Sequence, residues 1–131
     1  MSTIKTETLS TPSNATVPVD TVVNGTAKAW VNFIGQGTVA IRRAFNVSTI
    51  TDNGPGDYTV NFINAMVDAD YSIVGTSGYT ANGASAGFFV TNRIGSNGNE
   101  SAPTTTSCRV NGVGQNGSVY DTKYMHVAIF R

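Results

Sequence analysis

At 131 residues, with 40% hydrophobic and only 12% charged side chains, the chain has room for one domain around one core and is too apolar for wholesale disorder. Eight basic and eight acidic side chains leave no net charge, so the electrostatic term that drives nucleic-acid binding is missing. One cysteine, Cys108, excludes an internal disulfide and a thiolate metal cluster.

The segment from Met1 to Val19 holds no apolar run of signal-peptide length, and no stretch elsewhere is long enough to span a membrane. The expectation is a protein made in the cytosol, with no membrane insertion. Solubility then rests on Thr, Ser, Asn and Gly, and a surface without net charge does little to oppose self-association.

In chain order, Met1 to Gly25 is Thr- and Ser-rich, carries Pro12 and Pro18, and shows no sustained helical period. Residues 1–25 read as an extended arm or short strand pairing, and residues 26–131 as the folded domain. Having too few large apolar groups for a core of its own, the arm is expected to serve attachment or contact between subunits. Ala29, Val31 and Phe33 then alternate with Lys28, Trp30 and Asn32, the period of a strand with two unlike faces. After a turn at Gly35-Gln36-Gly37, Val39 to Val47 fits either one strand bulged near Arg42-Arg43 or two short strands. Ile50 to Phe62 has alternating β-formers on both sides of Asn53-Gly54-Pro55-Gly56 and predicts a hairpin, with Tyr58, Val60 and Phe62 on one face.

Ala65 to Asp70 reads as a corner and Tyr71 to Gly75 as a strand. A loop is expected from Thr76 to Ser85, a strand over Gly87 to Thr91, a long polar stretch from Ile94 to Thr106, and a short strand at Ser107 to Val110. Tyr124 to Arg131 closes the chain with apolar residues on both faces, as strands do inside a sandwich or between subunits. Every strong periodicity is two, which predicts an all-β fold: an antiparallel β-sandwich with an extended N-terminal arm and negligible helix.

The residues supply little for catalysis. His126 is the only histidine and lies in the alternating terminal strand, where packing or a hydrogen bond accounts for it. Asp52 and Asp57 flank a turn, and capping explains them without the twelve-residue calcium loop. Gly112-Val113-Gly114-Gln115-Asn116-Gly117 matches a dinucleotide-binding spacing, but Ser118-Val119-Tyr120-Asp121 continues toward another strand, so a hairpin loop is expected in place of a helix N-terminus. Arg42 and Arg43 point to opposite faces of a regular strand and read as edge charges that discourage wrong strand pairing. Trp30, Phe33, Phe45 and Phe62 read as core. No enzyme activity, cofactor or metal is expected.

Ala27-Lys28-Ala29-Trp30-Val31-Asn32-Phe33, Gly37 to Arg42, Phe45-Asn46-Val47-Ser48 and Ile50-Thr51-Asp52-Asn53-Gly54-Pro55-Gly56-Asp57-Tyr58-Thr59-Val60-Asn61-Phe62 together resemble a module of bacteriophage tail-fibre proteins. The resemblance runs from Ala27 to about Tyr71 and fades beyond Thr76; the closing Val127-Ala128-Ile129-Phe130 is loosely similar to apolar terminal strands of fibre tips. It implies a virion component made in the host cytoplasm, commonly trimeric and near the host-recognition apparatus. The expected partners are further copies of the chain, other virion proteins through the arm, and a host surface glycan or protein. A capsid decoration, cement or connector protein without receptor binding is the alternative. Receptor contacts are expected in the second-half loops at Tyr79, Asn82, Arg93, Asn97 and Tyr120, and subunit contacts at Tyr124, His126, Ala128 and Phe130.

Overall fold

In the computed structural model the described residues are 2–80, 86–91, 101–114 and 117–131, with only the backbone at 79, 80 and 86–90. The Thr-rich arm pairs with itself. β1 (Thr8–Ser10) and β2 (Thr16–Pro18) form an antiparallel hairpin with Leu9 opposite Val17. Asn14 takes the left-handed turn position, at a φ of 62°, which its short polar side chain tolerates. Pro18 then caps α1 (Val19–Gly25), and its fixed φ suits entry into a helix. This helix differs from the extended reading of the arm: seven residues are too few for a periodic signal to stand out from the sequence. No residue of the hairpin or helix is buried.

Among the described residues eight further strands follow: β3 (Ala29–Ile34), β4 (Ala40–Phe45), β5 (Val47–Gly54), β6 (Asp57–Phe62), β7 (Ser72–Thr80), β8 (Ala86–Thr91), β9 (Ser107–Gly114) and β10 (Thr122–Phe130). They make two antiparallel four-stranded sheets, ordered β4-β3-β10-β7 and β5-β6-β9-β8. The fold is an all-β sandwich. Alternation decides what enters it: Ala29, Val31 and Phe33 of β3 and Met125, Val127 and Ile129 of β10 meet Tyr58, Val60 and Phe62 of β6 and Cys108 and Val110 of β9 in one buried core.

The predicted Ile50 to Phe62 hairpin forms as β5 and β6, with Asp52 opposite Tyr58 and Gly54 opposite Asp57. Between Val39 and Val47 both open readings hold in part. Arg42 is the extra residue of a bulge in β4, since Asn32 pairs with Arg43 and Phe33 with Ile41. The chain then leaves that sheet at Asn46, whose φ is 53°, and enters the other as β5. The Asn46 side chain holds the crossing: its Nδ2 donates to Lys28 O at 3.1 Å and Asn64 O at 3.2 Å, and its Oδ1 accepts from Asn64 N at 2.8 Å.

Three expectations are corrected. Thr76 to Thr80 are not loop but the second half of β7, paired along β10 as far as Thr80 with Thr122. The strand expected at Ser107 to Val110 runs on to Gly114, so the first glycines of the Gly-x-Gly-x-x-Gly match lie in a strand. The chain turns back there, with Gly114 N donating to Ser118 O and Val113 bridged to Val119. Trp30 and Phe45 are outside the core, whereas Phe33 and Phe62 are in it.

Three buried acids give the fold an alkaline limit. The Tyr58 hydroxyl is pushed above its ordinary range by burial and by the Asp121 carboxylate beside it, and Tyr71 by burial and then by the proximity of Cys108. Burial pushes the Cys108 thiol up to about 12. Each group keeps its proton in the folded chain at a pH where the unfolded chain sheds it, so its stabilising contribution is complete below the unfolded value and lost above it. With ordinary values of 9.0 for the thiol and 10.0 for the phenols, urea midpoints should be flat to about pH 9. Above that the unfolding free energy should fall by up to about 1.4 kcal/mol per pH unit for each titrating group, and the midpoints with it. Tyr71→Phe should lessen the slope above pH 10; a midpoint unchanged from pH 8 to 11 would contradict this origin.

Candidate association face

The two outer faces of the sandwich differ. On the β5-β6-β9-β8 sheet, Asn61 Nδ2 donates to Thr49 Oγ1 at 3.1 Å and Thr51 Oγ1 at 2.9 Å, and Asn53 Nδ2 to Thr59 Oγ1 at 2.9 Å. Arg109 grips Asp57 through both guanidinium and carboxylate edges. Across β5, β6 and β9 these polar groups already pair with one another and suit a surface that faces water.

The outer face of the β4-β3-β10-β7 sheet is assembled by register. Phe45 pairs with Trp30, Trp30 with Ala128, and Ala128 with Val74, which makes one row across all four strands. The next row is Arg43, Asn32, His126 and Thr76. Beyond it Tyr124 lies opposite Gly78, with the Arg42 guanidinium carbon 4.8 Å from its ring centre. Arg42 reaches there because the bulge turns it out, and it also donates to Phe33 O at 3.2 Å and Asn32 Oδ1 at 3.3 Å.

Large apolar groups remain in water on this face: Phe45 is 55% exposed, Val74 50%, Tyr124 43% and Trp30 37%. Ala128 contributes only a methyl between Trp30 and Val74, and an open hollow of about 660 Å³ lies over this part of the sheet, reaching His126, Asn32 and Arg43. Single exposed apolar residues are ordinary, but a contiguous row rimmed by polar groups marks a surface that meets something. The electrostatics are one-sided as well. These four strands carry Arg42, Arg43 and Lys123 and not one carboxylate.

Of the residues expected to make subunit contacts, Tyr124, His126, Ala128 and Phe130 alternate with the buried Met125, Val127 and Ile129 and so share this outer face. From Met125 to Ile129 the terminal strand is apolar on its inner side and mixed on its outer side. Of the residues expected to contact a receptor, Tyr79 lies on the strand β7 and not in a loop. Asn82, Arg93 and Asn97 lie outside the described residues. Tyr120 is half-buried, and its backbone N–H donates to Gly112 O at 2.9 Å. Sequence reasoning missed Trp30, Phe45, Val74 and Thr76. For Trp30 the signal was present, because alternation already set it with Lys28 and Asn32 on the polar side of β3.

The carboxylates weighed for chemistry have structural partners. Asp52 Oδ1 accepts from Gly54 N at 3.0 Å, Asp57 pairs with Arg109, and Asp68 pairs with Arg131. Among the described residues no three His, Cys, Asp or Glu side chains gather as metal ligands, and no helix is long and apolar enough to cross a membrane. Fold and surface together define an antiparallel β-sandwich whose β4-β3-β10-β7 sheet exposes Phe45, Trp30, Val74 and Tyr124 on its outer face. No family model, curated protein or solved structure matches the chain.

Proposed function

We propose that this chain is a non-catalytic structural module of a bacteriophage virion, of tail-fibre type, which assembles as a homotrimer and presents its second-half loops to the host surface. The observation that carries self-assembly is the contrast between the two outer faces: on β5 and β6 polar groups pair with one another, whereas the other sheet leaves Phe45, Trp30, Val74 and Tyr124 in water. Burying that row among copies removes apolar area that a sandwich of this size cannot cover alone. The assignment to a virion and to its tail rests on the motif running from Ala27 to about Tyr71.

Light scattering at micromolar concentration is expected to return three times the 13.7 kDa of one chain; a monomer mass would refute self-assembly. The purified oligomer is expected to bind host cells, and alanine at Tyr79, Asn82 and Arg93 to weaken that binding severalfold, because three weak sites on one particle act together. Folded variants that bind as well as the parent would remove Tyr79 and the segments carrying Asn82 and Arg93 from the receptor site. If the parent bound no candidate host and imaging placed it across the head lattice, the same assembly would be a decoration or connector protein.

A further inference from the structure

A ring of three copies imposes a condition on its contacts. Under threefold symmetry each interface joins two different patches, one from each neighbour, except where equivalent side chains meet at the axis. The outer β4-β3-β10-β7 face is poorly suited to meet itself there, since that would set Arg42, Arg43 and Lys123 against their own copies with no carboxylate on any of the four strands. A patch that is apolar and acidic would complement it.

The arm is such a patch. On α1, Val19, Val22 and Val23 stand at the three- and four-residue spacing that makes one helical stripe, and Val22 and Val23 are 38% and 52% exposed. Leu9 of the hairpin is 48% exposed. Glu7 and Asp20 outnumber the arm's one basic side chain, Lys5. The arm is joined internally, since Val19 N donates to Glu7 O at 2.9 Å between helix and hairpin. Lys28 donates from Nζ to Val23 O and, at 3.2 Å, to Thr26 O, next to the end of the helix. Its apolar stripe remains uncovered by its own sandwich.

We infer that the N-terminal arm of one copy covers the outer β4-β3-β10-β7 face of the next, with Val22, Val23 and Leu9 against Phe45, Trp30 and Val74, and with Glu7 and Asp20 toward Arg42 and Arg43. The inference rests on the self-assembly proposed above and names the occupant of the exposed apolar face. Apolar area matches apolar area, acid meets base, and the two unlike patches on each copy allow the ring to close.

The test uses the full chain and two readouts. Leu9→Asp combined with Val23→Asp alters only exposed arm positions, so the sandwich stays folded while the contact is disfavoured. The mass should fall from three chains to one. Emission from Trp30, the only tryptophan, should move to longer wavelength and become more readily quenched by acrylamide. A variant that keeps both the trimer mass and the protection of Trp30 overturns the inference. The second readout is disulfide trapping between co-expressed Val23→Cys and Val74→Cys chains that carry tags of different size. Cys108 is buried and its thiol raised to about 12, so it stays out of the reaction. A bond between the two chain types that neither forms alone supports arm-on-face contact. Val74→Cys chains that link to one another show faces meeting faces, which overturns the arm as occupant and leaves self-assembly standing. A parent that is already monomeric overturns the self-assembly reading first, and the arm contact with it.

Discussion

Gly56→Ala is expected to destabilise the fold by about 3 kcal/mol or more, against about 1 kcal/mol for Gly37→Ala. The two glycines have nearly the same backbone, with φ of 64° and 69°, so the cost of placing an L residue in the left-handed region is common to both. They differ in space. A Cβ on Gly37 would meet nothing within 4 Å, whereas on Gly56 it would lie 2.4 Å from Tyr120 N and 2.6 Å from Tyr120 O. Backbone atoms cannot swing aside as a side chain can, so Tyr120 would have to move and Asp121 with it. Asp121 Oδ1 accepts from Gly56 N at 2.7 Å and lies 3.0 Å from the Tyr58 hydroxyl, which is also 3.0 Å from Gly35 O and shares one proton between them. Displacing that loop therefore releases a buried tyrosine that packs edge-on to Phe33, with ring centres 5.2 Å apart. For a domain of this size the melting temperature should drop by roughly 10 °C or more. Equal losses for the two variants would show that the loop yields freely and that the latch adds nothing.

That latch was not legible in the sequence, although the hairpin beneath it was. Asn53-Gly54-Pro55-Gly56 between two alternating runs specifies a turn locally, and the buried set Tyr58, Val60 and Phe62 follows from the period of two. Asp121 joins Gly56 and Tyr58 across more than sixty positions, and nothing within a short window signals such a contact. The same limit explains the lost half of β7. Thr76-Ser77-Gly78 reads as a turn by composition, but Ser77 opposite Met125 and Gly78 opposite Tyr124 extend the sheet because β10 is there to pair with them. Neighbouring strands override weak local preference. The α1 helix failed for a different reason, since two turns begun by Pro18 leave too short a pattern to distinguish from an extended arm.

The exposed apolar face was legible in part. Alternation placed Tyr124, His126, Ala128 and Phe130 on one side of the last strand, and register then added the neighbours that make them a surface: Trp30 and Val74 flank Ala128, and Asn32 and Thr76 flank His126. Reading Trp30 and Phe45 as core together with Phe33 and Phe62 hid them. An indole on the polar side of an alternating strand is more informative than its hydrophobicity alone, because the inner side was already filled by Ala29, Val31 and Phe33. The bulge at Arg42 also inverted an inference: in a regular strand Arg42 and Arg43 would face opposite ways, whereas the extra residue brings Arg42 over Tyr124 on the same outer face as Arg43.

Phe45→Asp is expected to abolish the trimer while leaving the monomer folded. Phe45 lies on β4 at the edge of its sheet and is 55% exposed, so its loss should change monomer stability by less than about 1 kcal/mol. In the proposed assembly the same ring would be an anchor at the end of the row through Trp30 and Val74. Losing such an anchor typically costs about 2 kcal/mol or more per contact, roughly a thirtyfold weakening. The introduced carboxylate would add an unmatched charge opposite the acidic arm. All three contacts of a closed ring carry the change, so no trimer should survive at micromolar concentration. Asn53→Asp is the matched control, because it adds the same charge on the polar sheet and the new carboxylate can still accept from Thr59 Oγ1, which Asn53 now contacts at 2.9 Å. Sedimentation of both variants across a concentration series separates the possibilities. A monomeric Phe45→Asp beside a trimeric Asn53→Asp assigns assembly to the β4-β3-β10-β7 face. The reverse pattern assigns it to the opposite sheet, and two intact trimers move the contact to the exposed Ile63 and Val67 of the corner after β6.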